Sequence, residues 1–155
     1  MVGIKAEAGL GKTRLINEFI MEYLPYGKNP KYLIIGKATN LTRQPYYIFI
    51  SILRSFFQIS EIDRLATVKT KLNKQYKELM YCLNSVEQNQ LTKTKAVIGF
   101  LLGISNKDIR LQTTGKELQT HIHIALFHFL QLIPLRFNLS SIPMVFVLED
   151  LQWMD

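Results

Sequence analysis

The sequence predicts an α/β fold built on a parallel sheet, and three stretches carry this prediction. A glycine-rich loop, residues 6–13, lies between a short apolar stretch at 2–5 and a segment with the apolar spacing of an amphipathic helix. A second apolar run, residues 31–37, follows that helix and is typical of a buried strand. A third run, 144–148, is apolar throughout. A strand, a crossover helix and a second strand form a βαβ unit, which requires a parallel sheet.

Length and composition fit one domain over residues 1–155. The chain is 48% apolar, which is enough for a single hydrophobic core. Its formal net charge of +7 suits an anionic ligand, a nucleic acid or a membrane surface, and does not choose among them. One cysteine excludes an intrachain disulfide. The first residues lack signal-peptide character and the longest apolar region, 122–135, is interrupted, so we expect a cytoplasmic protein.

The loop at 6–13 follows the phosphate-binding pattern G-x-x-x-x-G-K-[ST], with Ala6 in place of the first glycine. Its glycines let backbone N–H groups turn toward phosphate oxygens, and the following helix adds the positive end of its dipole. Lys12 is expected to reach the β- and γ-phosphates, and the Thr13 hydroxyl to bind Mg²⁺. The predicted ATP- or ADP-binding set is Gly9, Leu10, Gly11, Lys12, Thr13 and Arg14. The alternative is a chance glycine-rich turn, which does not explain the Lys-Thr pair.

Two helices are predicted around the second strand. The first spans 12–24 and stops at a proline and a glycine. The loop after the strand carries Arg43, which either approaches a phosphate or is a solvated loop arginine. The second helix, 46–59, combines aromatic with many aliphatic residues, so its aromatic side chains are assigned to the core rather than to base stacking.

A basic helix is predicted next. Ser60 and Asp63 resemble a capping box that opens it. Its basic face consists of Arg64, Lys69, Lys71, Lys74 and Lys77. Such a face can hold nucleic acid, but a solvated face is the commoner explanation and is favoured here.

The remaining connection to the last strand is predicted to be partly helical. Residues 85–94 are polar and weakly patterned and are predicted as a loop, 95–104 as a short helix, and 105–113 as a second connector. A capping box at Thr114 opens a long helix, which Pro134 should end or kink.

Two carboxylates, Glu149 and Asp150, end the last predicted strand. Beside a phosphate-binding loop, one carboxylate helps to hold hydrated Mg²⁺ and the other orients or deprotonates the attacking water, and spacing does not say which does which. The predicted catalytic residues are Glu149, Asp150 and Lys12. The predicted Mg²⁺ ligands are Thr13, Glu149 and Asp150, partly through water. The alternative is that two acids merely terminate a strand.

These motifs resemble a known family. Residues 6–15 resemble the Walker A segment of the STAND branch of the AAA-related P-loop ATPases, and 147–155, with its tryptophan and trailing aspartate, is similar to that branch's Walker B segment. The likeness is greatest to the origin-recognition-complex-like ATPase modules of bacterial multidomain signalling proteins, which carry nucleotide cyclase, Ser/Thr kinase or transcriptional regulator domains. The resemblance implies a three-layer P-loop NTPase fold with a parallel sheet, truncated after the Walker B strand (144–150), and a helical insert between strands two and three.

The resemblance also implies a function. The family's sheet order is 5-1-4-3-2, and strands one, two and three are supplied here, so we expect the first half of a module that depends on its C-terminal part. The implied activity is ATP binding and, in the intact module, ATP hydrolysis as a regulatory nucleotide switch in signal transduction. The isolated chain is expected to bind ATP weakly and to turn over little. The alternative is a nucleotide-responsive protein-interaction scaffold without significant turnover. Signalling output domains or proteins are the expected partners, nucleic acid is not favoured, and no membrane partner is expected.

Overall fold

The computed structural model describes residues 2–7, 9–23, 33–41, 44–104, 115–137 and 144–153. In chain order the elements are α1 (Lys12–Tyr23), β1 (Leu33–Lys37), α2 (Tyr47–Phe57), α3 (Leu65–Met80), α4 (Ser85–Leu101), α5 (Gly115–Leu132), a 3₁₀ helix (Ile133–Phe137), β2 (Val145–Glu149) and a short 3₁₀ helix (Leu151–Trp153). The predictions made for Arg43, for 105–113 and for a cap at Thr114 lie outside the described residues.

The predicted three-layer P-loop fold is wrong for the described part of the chain. That part is mostly helical, and its sheet consists of β1 and β2 alone, paired in parallel. The stretch 2–5, expected to be the first strand, has no regular structure. A strand exists only through pairing of its backbone groups, and this stretch has no strand partner among the described residues. The sheet therefore contains only the second and the last of the predicted strands.

The two strands place their side chains in two different apolar clusters. Their register runs from Leu33 opposite Val145 to Lys37 opposite Glu149. Leu33 is buried with Ile20 of α1, while the next residue, Ile34, is buried in the larger core formed mainly by α2 to α5. Successive side chains of a strand point to opposite faces, so α1 packs on one face of the sheet and the main core packs on the other, where Phe146 and Leu148 of β2 are still partly exposed.

Helix α2 closes the outer edge of β1. The backbone N–H of Ile35 donates to Ser55 Oγ, and that of Lys37 donates to Ser51 Oγ, each at 3.0 Å. In a parallel ladder alternate residues point to opposite neighbours, so these two N–H groups are the ones that β2 does not use. The close approach depends on Gly36, because a Cβ added there would lie 2.5 Å from Ile52 Cγ1.

Four aromatic rings join three helices at the centre of the main core. Phe129 of α5 lies 5.4 Å from Phe56 and 5.5 Å from Phe57, both on α2, between ring centroids. Tyr76 of α3 stacks on Phe57 at 5.9 Å. The prediction that the aromatic residues of this second helix belong to the core is confirmed for Phe56 and Phe57, which are buried.

The long helix before the last strand is confirmed. Helix α5 buries Ile122 and Phe129 and gives way at Ile133 to a 3₁₀ helix that contains Pro134, as expected for a proline that cannot continue an α-helix. Within the described ranges, no helix combines the length and the apolar character that crossing a bilayer requires.

The prediction of a loop at 85–94 is wrong, because these residues form the N-terminal part of α4. Asn84 Oδ1 accepts hydrogen bonds from the N–H groups of Val86 and Glu87, each at 3.0 Å. The Glu87 carboxylate in turn accepts from the Asn84 N–H at 2.9 Å. This reciprocal capping box fixes the start of a helix whose apolar periodicity is too weak to reveal it.

The capping box predicted at Ser60 and Asp63 forms a turn ahead of α3 instead of its cap. The Ser60 N–H donates to Asp63 Oδ2 at 2.9 Å, while α3 begins at Leu65 without a side-chain cap. Lys71 Nζ also donates to Asp63 Oδ2, at 2.6 Å. The hydrogen bonds from Lys71 and from the Ser60 N–H lower the pKa of the Asp63 carboxyl below its ordinary value of 3.8.

This lowered pKa predicts a pH dependence of stability. We expect Asp63→Asn to reduce the free energy of unfolding at neutral pH and to change it little in strong acid. The stabilisation from a carboxyl with a lowered folded pKa is present above the unfolded pKa and is lost as the pH falls through the folded value. Urea unfolding of both proteins across the acid range measures this, and an equal loss at every pH would contradict it.

Candidate functional site

The glycine-rich loop adopts the backbone conformations that its sequence predicts. Gly9 has φ +85° and Gly11 has φ +79°, both in the left-handed region that side chains other than glycine rarely adopt. A Cβ added at either position would meet nothing within 4 Å, so the requirement for glycine is conformational rather than steric. Helix α1 begins directly after Gly11. The loop therefore turns tightly into a helix N-terminus.

The Lys12 ammonium folds back over the start of this loop. Its Nζ donates to the carbonyl oxygen of Ala6 at 2.7 Å and to that of Glu7 at 2.8 Å. Both acceptors are neutral backbone oxygens of the same loop. An anionic oxygen forms a stronger hydrogen bond with an ammonium group than a carbonyl does, so phosphate can compete for this side chain.

The N-terminus of α1 carries no acidic residue in its first turn. Its first intrahelical bond runs from the Leu15 N–H to the Gly11 carbonyl oxygen at 2.9 Å, so the preceding N–H groups have no intrahelical acceptor. Together with the helix dipole these N–H groups favour an anion. Leu10 and Thr13, both from the predicted nucleotide set, are exposed beside them.

Arg14, the last member of that set, is directed to a neighbour on its own helix. Its Nε donates to Glu18 Oε1 at 2.8 Å, and both side chains are largely exposed. Exposed pairs of this spacing contribute only a few tenths of a kcal/mol, about 0.3–0.5 in helices. The pair therefore restrains Arg14 only weakly.

The two predicted catalytic carboxylates lie at the carboxyl end of β2. The Glu149 carbonyl accepts from the Ala38 N–H at 3.0 Å, which extends the ladder by one bond. Asp150 leaves the strand with φ +59°, a left-handed conformation that aspartate tolerates better than most residues. Its carbonyl accepts from the Trp153 N–H at 2.9 Å. The chain thus turns sharply at Asp150.

Lys37 lies at the same end of the sheet as Glu149 and Asp150, and it was not predicted from the sequence as part of the site. It is opposite Glu149 in the register, and its Nζ lies 3.8 Å from Asp150 Oδ2. The contact is long and both groups are partly exposed, so it restrains Asp150 only weakly. Its position in the sequence could have indicated this, because Lys37 ends one predicted strand and Glu149 ends the other, and the ends of parallel strands lie side by side.

The glycine-rich loop and the two carboxylates at the end of β2 are not directly bonded to each other among the described residues. Among the described residues, no hydrogen bond or ion pair joins residues 6–14 to Glu149 or Asp150. The described residues also contain no group of three or more His, Cys, Asp or Glu side chains placed to hold a metal ion. The Thr13 hydroxyl and the two carboxylates are nevertheless oxygen donors of the kind that Mg²⁺ takes, usually one or two at a time with several waters.

A cleft of about 410 Å³ lies elsewhere, between α2, the turn at 59–61 and the end of α4. Tyr47, Arg54 and Glu61 line it, and none of the predicted nucleotide-binding residues does. Arg54 donates there to the Ser60 carbonyl at 3.0 Å. The cleft is separate from the loop, and the loop itself is an exposed turn.

No known protein family, curated protein or solved structure matches this chain. The resemblance to STAND-type ATPases therefore depends on the loop and on the acidic strand end alone, and it stays a prediction.

Proposed function

We propose that the chain binds ATP at the loop 6–13 and acts as a regulatory nucleotide switch, in the cytoplasm. The observation that best supports this proposal is the pair of left-handed glycines, Gly9 and Gly11, just before α1, with Lys12 as the first residue of that helix and its ammonium group bonded back to the loop. A helix N-terminus without acidic side chains, a tight glycine turn and an ammonium group together suit a chain of phosphates.

Lys12 is the side chain on which the switch depends. On binding, its ammonium exchanges the carbonyl oxygens of Ala6 and Glu7 for phosphate oxygens, which releases the start of the loop. Thr13, Glu149 and Asp150 are the residues that would hold Mg²⁺, which neutralises charge on the phosphates. Binding and release of nucleotide thereby change the contacts of residues 6–7.

A titration with a fluorescent ATP analogue tests the proposal. We expect Lys12→Ala to weaken binding by about 10- to 100-fold, since a hydrogen bond to a charged group contributes about 1.5–3 kcal/mol. Lys5→Ala is the matched control, because Lys5 is an exposed lysine close by in sequence with no partner among the described residues. Equal affinity of the wild-type and Lys12→Ala proteins would contradict the proposal.

A second candidate is the nucleotide-responsive scaffold without significant turnover. It is favoured by one observation, namely that the Asp150 carboxylate has its described contacts with Lys37 and Gln152 rather than with the loop. Measuring the release of inorganic phosphate from ATP distinguishes the two candidates, because only the first hydrolyses ATP. Release that Glu149→Gln or Asp150→Asn abolishes indicates hydrolysis, whereas Lys12-dependent binding without release indicates the scaffold.

A further inference from the structure

Positive charge is concentrated on the helical hairpin formed by α3 and α4. Residues 64–101 contain seven Lys and Arg and two Glu, which gives this segment a net charge of +5 out of the +7 of the whole chain. Lys71 is the one hairpin lysine with a carboxylate partner among the described residues, through its pair with Asp63. By contrast, Lys69, Lys74, Lys77 and Lys93 are exposed and form no ion pair or hydrogen bond within the described part of the chain.

A buried hydrogen bond brings four of these lysines to one level of the hairpin. Tyr76 Oη on α3 and Thr94 Oγ1 on α4 lie 2.8 Å apart, and both residues are buried. Since a helix rises about 1.5 Å per residue, any residue within two positions of this pair lies within about 3 Å of its level along the axis. The lysines that meet this condition are Lys74, Lys77, Lys93 and Lys95.

Lys95 of α4 reaches across to α3. Its Nζ, from α4, lies 5.7 Å from the ring centroid of Tyr76 on α3. The acidic residue at the same level is Glu78. Four cations against one carboxylate leave a net charge of +3 in the middle of the hairpin. Excess positive charge at one level of the hairpin is slightly unfavourable for the folded chain, and an anionic partner would offset this repulsion.

The composition of the remaining surface selects the class of partner. The exposed residues around these lysines include Thr70, Asn73 and Thr92, which are polar and uncharged. The exposed large apolar side chains of the hairpin, Leu65, Tyr81 and Val86, lie at its two ends. Protein interfaces centre on apolar or aromatic anchors, membrane-surface helices need an apolar face, and single strands stack on aromatic rings. Duplex phosphates need only cations and polar donors.

We propose that the middle of the α3–α4 hairpin binds the phosphate backbone of double-stranded DNA, without sequence preference, at a surface separate from the loop 6–13. An α-helix fits against the major groove of a B-form duplex, whereas the deep, narrow groove of duplex RNA does not admit one. The binding is electrostatic, so its affinity falls steeply with salt concentration.

The experiment compares two double variants of equal net charge. Lys77→Gln with Lys95→Gln removes one exposed cation from each helix on the same side of the hairpin, since each lysine follows a member of the Tyr76–Thr94 pair by one position. Lys5→Gln with Lys116→Gln removes two exposed cations elsewhere. Fluorescence anisotropy of a labelled short DNA duplex is followed across a series of salt concentrations. We expect the hairpin variant to bind about 100-fold more weakly at ~0.1 M salt and to reduce the salt slope by about 2, since each phosphate contact contributes about 0.9 to that slope.

Three results would overturn the proposal. An equal loss in both double variants would show that only net charge matters. Absence of duplex binding by the wild-type chain at low salt would show that the chain does not bind DNA. Tighter binding to anionic lipid vesicles or to an acidic polypeptide than to the duplex would assign the surface to another partner. Circular dichroism checks that both variants are folded, and Lys12→Ala should leave DNA binding unchanged whatever happens at the nucleotide loop.

Discussion

Phe129→Ala is expected to lower the free energy of unfolding by about 3–5 kcal/mol, the range found when a buried phenylalanine is truncated. The Phe129 ring is completely buried and contacts rings from two other helices, Phe56 and Phe57 on α2 and Tyr76 on α3. Truncation leaves a cavity where α2, α3 and α5 meet, and three rigid rings cannot collapse to fill it. A loss of this size is a large fraction of the roughly 5–15 kcal/mol that stabilises a typical domain.

Phe127→Ala on the same helix is the matched control. Phe127 is 60% exposed, so its truncation removes the same atoms from the surface, and we expect a change within about 0.5 kcal/mol. Urea unfolding followed by far-ultraviolet circular dichroism measures both variants. Similar losses in the two would contradict the aromatic core described for α2, α3 and α5.

Gly36→Val is expected to destabilise the protein by about 3 kcal/mol, at the upper end of the range for overpacking. A Cβ at residue 36 would lie 2.5 Å from Ile52 Cγ1 and 3.1 Å from Leu148 Cδ2, and valine adds two further methyl groups. Valine is a better strand former than glycine, so propensity alone predicts a gain. The sign of the change therefore separates steric conflict from strand propensity.

A double-mutant cycle locates the conflict. Ile52→Ala alone should destabilise by creating a cavity against β1, but in the Gly36→Val background the shorter side chain makes room for the valine. We expect the two changes together to cost less than the sum of the single changes by about 1 kcal/mol or more, as for residues in direct contact. Gly99→Ala is the comparison at a site with space, since its nearest neighbour would be 3.8 Å away. Strict additivity at residues 36 and 52 would contradict the close packing of α2 on β1.

The sequence predicted the elements with a strong apolar pattern and the basic helix α3, but it missed the first part of α4. Helices α1, α2 and α5 and both strands have runs or stripes of large apolar residues, and the structure has all five within a few residues of the prediction. Helix α4 was missed over 85–94 because Val86 and Leu91 alone are large and apolar there. Its start depends on the local pair Asn84 and Glu87, a capping signal that the sequence contained.

Local sequence alone could not predict the sheet, because pairing is not a local property, although the order 5-1-4-3-2 implied the one pairing present, that of strands two and three. The stretch 2–5 has strand-like residues but no strand partner among the described residues, whereas 33–37 and 145–149 pair with each other across more than 100 positions of sequence. In the candidate site, too, the features set by local sequence could be predicted and those set by strand pairing could not. The left-handed glycines followed from the loop pattern, while the contact of Lys37 with Asp150 depends on the strand register.

The two serine hydroxyls on α2 have a consequence for how that helix is aligned. Ser51 and Ser55 are four residues apart, about 6.0 Å along a helix, and the N–H groups that they accept from, on Ile35 and Lys37, are two residues apart, about 6.6 Å along a strand. The two spacings are nearly equal, so both serine hydroxyls can accept their hydrogen bonds at the same position of the helix along the strand. The order is reversed, with Ile35 meeting Ser55 and Lys37 meeting Ser51, so α2 runs antiparallel to β1. Apolar packing alone would let α2 slide in small steps, whereas this match has one setting, and insertion or deletion of a single residue between the serines would break it.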